Sequence, residues 1–128
     1  MTAEADAHVS ATKAVRALFE AFRYRHREDA EKLIAGDFTF TSPYDDHIDR
    51  AAYFERCWPN GDRFKDFRIE RTASDEDGVY VTYFCTTNDG KSFRNTEYLT
   101  SDGREIHSTD VYFGATYESG SFVPQQPD

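Results

Sequence analysis

Two acidic side chains, Glu97 and Asp110, lie in segments that alternate between polar and apolar residues in the second half of the chain. If both carboxyl groups share an apolar pocket, their mutual repulsion and the loss of water raise the pKa of at least one of them. A pair separated in this way can supply a general acid and a general base near neutral pH. The alternative is structural: the carboxylates accept hydrogen bonds from Tyr, Ser or Arg partners and only satisfy the wall of a pocket.

The alternation of side chains along each strand predicts which residues share a face with these acids. Side chains at positions i and i+2 share one face of a strand, so Asn95 is expected to face the pocket together with Glu97. On the last predicted strand, Tyr112 is expected to face inward with Asp110. Ser42 is expected to do so at the end of the first strand. The remaining lining would come from apolar and aromatic side chains.

The segment between the first strand and the third predicted helix offers a second group of polar side chains. Tyr44 and His47 could contact a ligand near the pocket mouth, with Asp45 or Asp46 orienting the histidine. The alternative is a solvated turn, because Asp is common in turns and acidic residues favour a helix N-terminus. Trp58 at the end of that helix is either a ring that stacks on a flat ligand or a core residue.

Composition excludes several classes of partner. Acidic residues outnumber basic ones 24 to 15, for a net charge of −9, which argues against nucleic acid and against an anionic membrane surface. No apolar run approaches the roughly 20 residues that span a bilayer, and the acidic N-terminus is not typical of a signal peptide. We therefore expect a cytoplasmic protein with neither a nucleic-acid nor a membrane partner.

Cysteines and histidines do not form the patterns of metal or redox sites. Cys57 and Cys85 stand apart without a C-x-x-C motif and are expected to be two buried thiols rather than a disulfide. The four histidines form no zinc-ligand spacing, and no phosphate-binding glycine loop occurs. The sequence therefore predicts no metal and no cofactor.

The order of the elements predicts an α+β domain. Apolar residues at helical spacing between Ala11 and Phe22 predict a first helix, and a short second helix is expected from about Glu28 with Gly36 just after its C-terminus. Residues 38–42 alternate as a strand, and Asp49 is expected to cap a third helix that extends to about Trp58. After residue 64, three glycine-containing turns divide a four-stranded antiparallel meander. Residues 1–118 form the predicted single domain, and residues 119–128 a loose tail.

Several local segments agree with one superfamily. Residues 37–43 (DFTFTSP), 49–54 (DRAAYF), 95–99 (NTEYL), 102–106 (DGREI) and 110–114 (DVYFG) carry the likeness. They resemble the first strand, the third helix and the last hairpin of SnoaL-like domains, in the cone-shaped nuclear-transport-factor-2-like superfamily, which includes ketosteroid isomerases. The resemblance covers about residues 8–117. It implies three helical segments packed on a curved, mostly antiparallel sheet that encloses an apolar pocket.

The resemblance separates this chain from the ketosteroid isomerases. Where those enzymes place an Asp before the Pro that ends the first strand, this chain has Ser42. Asn95 stands where they place a second, protonated Asp, and Leu18 where they place a Tyr. Asp110 matches the acidic base of SnoaL-type cyclases, but Ser108 lies nearest to the position of their His. Ketosteroid isomerisation by that mechanism is therefore not expected.

Three functional hypotheses follow, because this superfamily hosts both enzymes and binders. The first is a cofactor-independent isomerase, cyclase or hydrolase for a small apolar or aromatic compound, with Asp110 as base and Glu97 as second carboxyl. In that hypothesis the remaining pocket residues bind the ligand. The second is a non-catalytic binder of such compounds, and the third a dimeric interaction domain with a filled cone. The resemblance also implies a homodimer through the outer face of the sheet, where Val111 and Phe113 are expected. The ligand-binding residues of the first hypothesis are Ser42, Tyr44, Trp58, Asn95 and Tyr112.

Overall fold

Three helices cover one side of the sheet. The computed structural model describes residues 3–124, with side chains from residue 6 onward. The first helix, α1, spans Ala3–Arg23, and its predicted apolar face is buried, with Val15 fully inaccessible and Leu18 and Phe19 nearly so. The short helices that follow are α2 (Arg27–Leu33) and α3 (Arg50–Arg56). No helix among the described residues is both long and apolar enough to cross a membrane.

Seven strands of the described residues form one sheet. Its order is β2-β1-β6-β5-β4-β3, with β7 paired to the end of β6, and every pairing is antiparallel except that of β1 with β6. The predicted four-stranded meander is confirmed as β3 to β6. Register shifts interrupt the pairings of β1 with β2 and β6, of β3 with β4, and of β5 with β6, and such irregularities bend a sheet. The strands are β1 (Ile34–Ser42), β2 (Asp45–Asp49), β3 (Phe64–Ser74), β4 (Gly78–Thr87), β5 (Lys91–Ser101), β6 (Ile106–Glu118) and β7 (Ser121–Val123).

Aromatic side chains fill the space between the helices and the concave face of the sheet. Phe19 of α1 stacks on Phe67 of β3, with ring centroids 5.8 Å apart, and Phe67 contacts Tyr83 at 4.7 Å. Phe38 of β1 packs edge-on against Tyr53 of α3 at 5.3 Å. Each such ring pair adds about 1 kcal/mol beyond the apolar area that it buries. The core therefore ties the helical layer to the middle of the curved sheet.

Helix boundaries follow local chemistry with two exceptions. The Asp49 side chain accepts a hydrogen bond from the backbone N–H of Ala52 at 2.9 Å, which confirms the predicted N-cap of α3. The prediction that Gly36 follows the second helix is wrong, because that helix ends at Leu33 and the chain enters β1 directly. The third helix also ends earlier than predicted, and a 3-10 helix continues from Trp58 to Arg63.

Two segments predicted to be irregular pair with the sheet. Residues 45–49, expected to be a loop, form β2 against β1, with Phe40 opposite Ile48. Within the predicted loose tail, Ser121–Val123 pairs with β6 instead, and residues 125–128 lie outside the described residues. Gly78 begins β4, and a Cβ there would lie 2.5 Å from the carbonyl oxygen of Leu99.

A charged cluster joins β1, β6 and the turn before β6. The His107 ring contacts Asp37 through Nδ1 at 2.7 Å and Asp102 through Nε2 at 3.0 Å. Two carboxylates can both accept only from the doubly protonated ring, and these hydrogen bonds raise the pKa of His107. The backbone N–H of Glu105, and then the hydrogen bond from His107 and the backbone N–H of Arg104, hold the pKa of Asp102 below its usual range.

We expect this cluster to make stability depend on pH. Because the folded pKa of His107 lies above its unfolded value of about 6.5, its contribution is complete below pH 6.5 and disappears as the pH rises through the folded pKa. With a side chain 35% exposed, solvent screening limits the contribution to about 1 kcal/mol. In urea unfolding, His107→Gln should cost more free energy at pH 5.5 than at pH 9. An equal cost at both pH values would show that protonated His107 does not stabilise the fold through Asp37 and Asp102.

Candidate functional site

A cavity of about 930 Å³ lies between the helices and the concave face of the sheet. This volume is of the size that accepts a small organic ligand. Most of the lining is aromatic or aliphatic, with contributions from both layers. The apolar side chains that border it include Leu18, Phe19, Phe22, Phe38, Phe40, Tyr53, Phe64, Phe67, Tyr83, Phe93, Leu99, Val111 and Phe113.

The inward-facing side chains of β5 show which end of the cavity is closed. Lys91 at the start of the strand is exposed, Asn95 is buried and Leu99 is only 1% exposed. Glu97 lies between the last two and pairs with the buried Val81 on β4. It therefore projects into the cavity near the closed end, far from the solvent-exposed start of the strand.

A chain of hydrogen bonds ends on the Glu97 carboxyl group. The backbone N–H of Gly114 donates to Asn95 Oδ1 at 3.3 Å, which turns the Asn95 amide so that Nδ2 donates to the Tyr83 hydroxyl, also at 3.3 Å. The Tyr83 hydroxyl then donates to Glu97 Oε2 at 2.6 Å. Each donor polarises the next, so the chain delivers its strongest hydrogen bond to Glu97.

Burial and this chain set the protonation of Glu97 in opposite directions. Desolvation raises the pKa of Glu97 to about 7, and the Tyr83 hydrogen bond, which favours the ionised form, lowers it by a smaller amount. The Glu97 side chain is partly buried and borders the open cavity. Burial also raises the pKa of Tyr53 and Tyr83 well above the usual range, so both phenols stay protonated. Glu97 is therefore the group in this part of the cavity that changes protonation near neutral pH.

The second oxygen of Glu97 is the one available to a ligand. Oε1 accepts no hydrogen bond from the described part of the chain, and it does not belong to the buried unsatisfied atoms there. It therefore faces the cavity, while Tyr83 occupies Oε2. A carboxyl group held in this way can exchange a proton with a bound molecule at one defined oxygen.

A second group of polar side chains lies at the mouth of the cavity. Asp45, at the start of β2, has a side chain only 9% exposed, and Arg56 of α3 lies over it with Nη2 2.7 Å from Oδ1. Asp45 Oδ2 accepts from the Ser42 hydroxyl at 3.3 Å and lies 3.9 Å from the Cys57 thiol. Burial, and next the negative charge of Asp45, raise the pKa of that thiol to about 12, and Glu97 adds to the effect. Asp45 and Glu97 both border the same cavity.

Four of the seven residues predicted for the site border the cavity. Glu97 and Asn95 lie in its interior and are joined through Tyr83, whereas Ser42 and Tyr44 lie near its mouth. Tyr44 packs edge-on against Phe113, with ring centroids 5.4 Å apart. The roles predicted for these residues stay predictions.

The predicted orientation of Asp110 and Tyr112 is wrong. Residues paired across two strands share a face of the sheet, and Glu97 pairs with Val111. Val111 therefore faces the cavity, whereas Asp110 pairs with Tyr98 on the outer face and Tyr112 is 58% exposed. The cavity residues of β6 are Thr109, Val111 and Phe113.

Trp58 belongs to the core, which was the other possibility that the sequence allowed. It is 5% exposed, its ring meets Phe22 edge-on at 5.4 Å, and it does not border the cavity. The Arg25 guanidinium covers its ring at 4.4 Å and donates to its carbonyl oxygen at 2.6 Å. The indole therefore fixes the turn after α3 rather than reaching a ligand.

Sequence reasoning missed Tyr83 and Arg56, and it named Asp45 only as a residue that could orient His47. Tyr83 could have been found, because a hairpin centred on residues 88–90 places it opposite Asn95. Asp45 carried no comparable signal, since its burial depends on the pairing of β2 with β1 and on the position of α3. Arg56 has the ordinary pattern of a basic residue in the last turn of a helix.

Comparison with known proteins identifies the fold. No protein-family model and no curated protein matches the sequence. An NTF2-like protein of unknown function from Cytophaga hutchinsonii is 21% identical, with a TM-score of 0.65 over 80% of this chain and 88% of that one. An LEH-like epoxide hydrolase from M. tuberculosis is 16% identical (TM-score 0.68, 83% and 84% covered). Bal32a, from a soil-derived mobile gene cassette, is also 16% identical (0.70, 83% and 90%). At such low identity these similarities establish the nuclear-transport-factor-2-like fold and nothing about activity.

Proposed function

We propose that this protein, which has the nuclear-transport-factor-2-like fold, is a cofactor-independent enzyme of the isomerase, cyclase or hydrolase kind. Its substrate is a small apolar or aromatic compound, and Glu97 transfers a proton to or from it. One observation carries the proposal: the Glu97 carboxyl group lies deep in an aromatic cavity with one oxygen facing the open volume, where burial raises its pKa to about 7. General acids and bases work best when their pKa lies near the working pH.

The surrounding residues support proton transfer at a single oxygen. Tyr83 holds Oε2, so a proton taken from a substrate goes to Oε1. Asn95 keeps the Tyr83 hydroxyl directed at the carboxylate and thus acts as a positioning residue. Burial among the aromatic walls removes part of the water around the carboxylate, which makes it a stronger base than a fully solvated one. The chemistry needs no group beyond the chain's own residues.

A generic carbon acid tests this proposal without knowledge of the natural substrate. 5-Nitrobenzisoxazole is flat, aromatic and neutral, and a carboxylate opens it in one step. The base takes the proton at C3, the C–H electron pair forms the nitrile, and the N–O bond breaks to leave a phenolate. We expect saturable ring opening by the protein, faster than by acetate at equal concentration. A rate equal to that of acetate would contradict an accessible, desolvated base. Because one structural neighbour is an LEH-like epoxide hydrolase, styrene oxide is a second probe.

The aromatic lining also supports a second candidate function, a non-catalytic carrier of small apolar molecules. Phe67, Phe93 and Phe113 border the cavity, and aromatic walls bind flat ligands without any chemistry. A carrier would bind 5-nitrobenzisoxazole without accelerating its ring opening, so the same assay separates the two functions. Whichever applies, we propose a cytoplasmic location, which is consistent with two free cysteines in the described part of the chain.

We further propose a homodimer through the outer face of the sheet. Val111 and Phe113, expected on that face, point inward, and three tyrosines stand there instead. The rings of Tyr80 and Tyr98 lie 4.5 Å apart, and Tyr80 and Tyr112 are 42% and 58% exposed. Tyrosine is enriched at protein interfaces because its ring buries large area while its hydroxyl tolerates water.

The dimer has a direct test in sedimentation equilibrium. The protein should show twice the chain mass of 14.8 kDa, and Tyr112→Glu should shift the equilibrium toward the monomer, because it buries an unpaired charge in the interface. Tyr24→Glu is the matched control, since Tyr24 is 53% exposed on the helical side and should leave the mass unchanged. A wild-type protein that stays monomeric at high micromolar concentration would contradict the proposal.

A further inference from the structure

Arg56 is an arginine held at the mouth of the cavity by a buried acid. It lies in the last turn of α3, and its side chain borders the cavity while remaining 56% exposed. Its Nη2 atom lies 2.7 Å from Oδ1 of Asp45, whose own side chain is 91% buried. The outer end of the guanidinium is therefore open to whatever enters the cavity, while the inner end is anchored.

The Asp45 carboxylate is held from several sides. Ser42 Oγ donates to Oδ2 at 3.3 Å and itself accepts the backbone N–H of Tyr44 at 3.1 Å, so the turn between β1 and β2 fixes the acid. Oδ1 accepts no hydrogen bond from the described residues, although Arg56 lies close to it. Burying a carboxylate costs several kcal/mol, and one ion pair of imperfect alignment only partly offsets this. The arrangement therefore contributes little to stability, and its clearest consequence is that the Arg56 guanidinium is paired with Asp45 at the border of the cavity.

Comparison with two other arginines shows that Arg56 has unused hydrogen-bond donors. Arg25 donates to two backbone carbonyl oxygens and to Asp62, and Arg50 donates to the carbonyl oxygens of Glu31 and Ile34. The guanidinium groups of both residues are therefore engaged in hydrogen bonds within the protein. Apart from its ion pair with Asp45, Arg56 makes no contact of this kind with the described part of the chain. Its remaining N–H groups are thus available as donors at the mouth.

We propose that Arg56 binds an oxygen acceptor, a carbonyl or a carboxylate, on an otherwise apolar ligand, and that Asp45 is the positioning residue beneath it. The inference rests on the proposed use of the cavity as a ligand site. A ligand bound at Arg56 through its oxygen directs its apolar part along the aromatic walls toward Glu97. The substrate class is therefore an amphiphilic aromatic or alicyclic compound with its acceptor at one end and its reacting atom at the other.

Three naphthalenes of similar size test the inference by calorimetry or fluorescence. 2-Ethylnaphthalene has no acceptor, 2-acetylnaphthalene has a neutral carbonyl and 2-naphthoate has a carboxylate. We expect at least one of the two acceptor ligands to bind the wild-type protein about 10-fold more tightly than 2-ethylnaphthalene, the effect of one hydrogen bond to a charged group. Arg56→Met should remove this advantage and leave the affinity for 2-ethylnaphthalene unchanged. Whichever acceptor ligand loses more identifies carbonyl or carboxylate as the natural group.

Two further variants make the result specific. Arg63→Met is the matched control, because Arg63 also borders the mouth but donates to Asn60, and it should keep the acceptor advantage. Asp45→Asn should lower the ratio of acceptor to ethyl affinities without changing the ethyl affinity, whereas a purely structural role would change both. An acceptor advantage that is absent in the wild type, insensitive to Arg56→Met or equally lost in Arg63→Met overturns the inference.

Failure here is distinguishable from failure of the proposed catalysis. If ring opening of 5-nitrobenzisoxazole depends on Glu97 but the ratio of acceptor to ethyl affinities is unchanged by Arg56→Met, only the role proposed for Arg56 is wrong. If the ratio behaves as expected and ring opening is no faster than with acetate, the cavity is a selective binder and the enzymatic proposal is wrong.

Discussion

Replacing Glu97 with Gln should lower the protein-dependent ring opening of 5-nitrobenzisoxazole by at least about 100-fold, the usual contribution of a positioned general base. Gln preserves the shape of the side chain and can still accept from the Tyr83 hydroxyl, but its amide does not take up a proton at neutral pH. Ligand affinity should change little, because the aromatic walls stay in place. A steady-state assay that reports kcat and KM separately measures both effects.

The pH dependence of the wild-type rate follows from the same group. The base is the ionised form, so kcat should rise with pH through a value of about 7 and then level off. Burial raises the folded pKa of Glu97, so this carboxyl favours folding at low pH, and its contribution is lost as the pH rises through about 7. A profile with its midpoint near 4.5 would point to a solvated carboxylate.

Asp110→Asn is the matched control for this variant. It also removes a carboxylate from the last hairpin, but from the outer face, so the rate should stay within about 2-fold of wild type. Loss of activity in Asp110→Asn with normal activity in Glu97→Gln would reverse the assignment. That outcome would restore the base predicted from the sequence.

Truncating Phe38 should destabilise the protein by about 3–5 kcal/mol, whereas truncating Phe93 should cost less than half as much. Phe38 is 2% exposed and packs edge-on against Tyr53 in the core, so Phe38→Ala loses nearly the full transfer free energy of the ring together with its core contacts, although one side of the ring also borders the cavity. Phe93 is half-buried and borders the existing cavity, so Phe93→Ala only enlarges an open volume. Urea unfolding of the two variants side by side gives both free energies.

This contrast tests whether the cone is open or filled. Equal costs for the two substitutions would mean that side chains pack tightly around Phe93, as expected for an interaction domain with a filled cone. The slopes of the unfolding transitions provide the control, because unchanged slopes show that the denatured states are comparable. A small cost for Phe93→Ala together with tighter binding of a bulkier naphthalene would support an open cavity directly.

Much of the fold could be predicted because its signals are local. The apolar spacing of α1, the Asp49 cap and the turn-separated alternation after residue 64 each depend on a few neighbouring residues. The register of β6 could not be predicted, because it depends on irregularities in its pairing with β5. A shift of one residue exchanges the two faces of a strand, so the prediction placed Asp110 and Tyr112 inward where Val111 and Phe113 stand.

The residues of the candidate site also divide into those with a local sequence signal and those brought together only by tertiary contacts. Glu97 and Asn95 lie on a strand whose alternation is regular next to β4, and both were placed in the cavity correctly. Asp45 and Arg56 meet only because β2 pairs with β1 and α3 crosses above it. That contact is tertiary and left no pattern in the sequence. Gly36 failed for a related reason, since a glycine after a helix often ends it but here continues an extended chain.

A measured pKa of Glu97 would decide whether this carboxyl group can serve as a base at neutral pH. Titration of the carboxyl carbon resonance in protein labelled with ¹³C at Glu, assigned by comparison with Glu97→Gln, reports it without any substrate. We expect a midpoint of about 7, because burial in the aromatic cavity outweighs the Tyr83 hydrogen bond. A midpoint near the ordinary glutamate value of about 4.3 would contradict this expectation, since the carboxyl would then be solvated and unsuited to proton transfer at neutral pH.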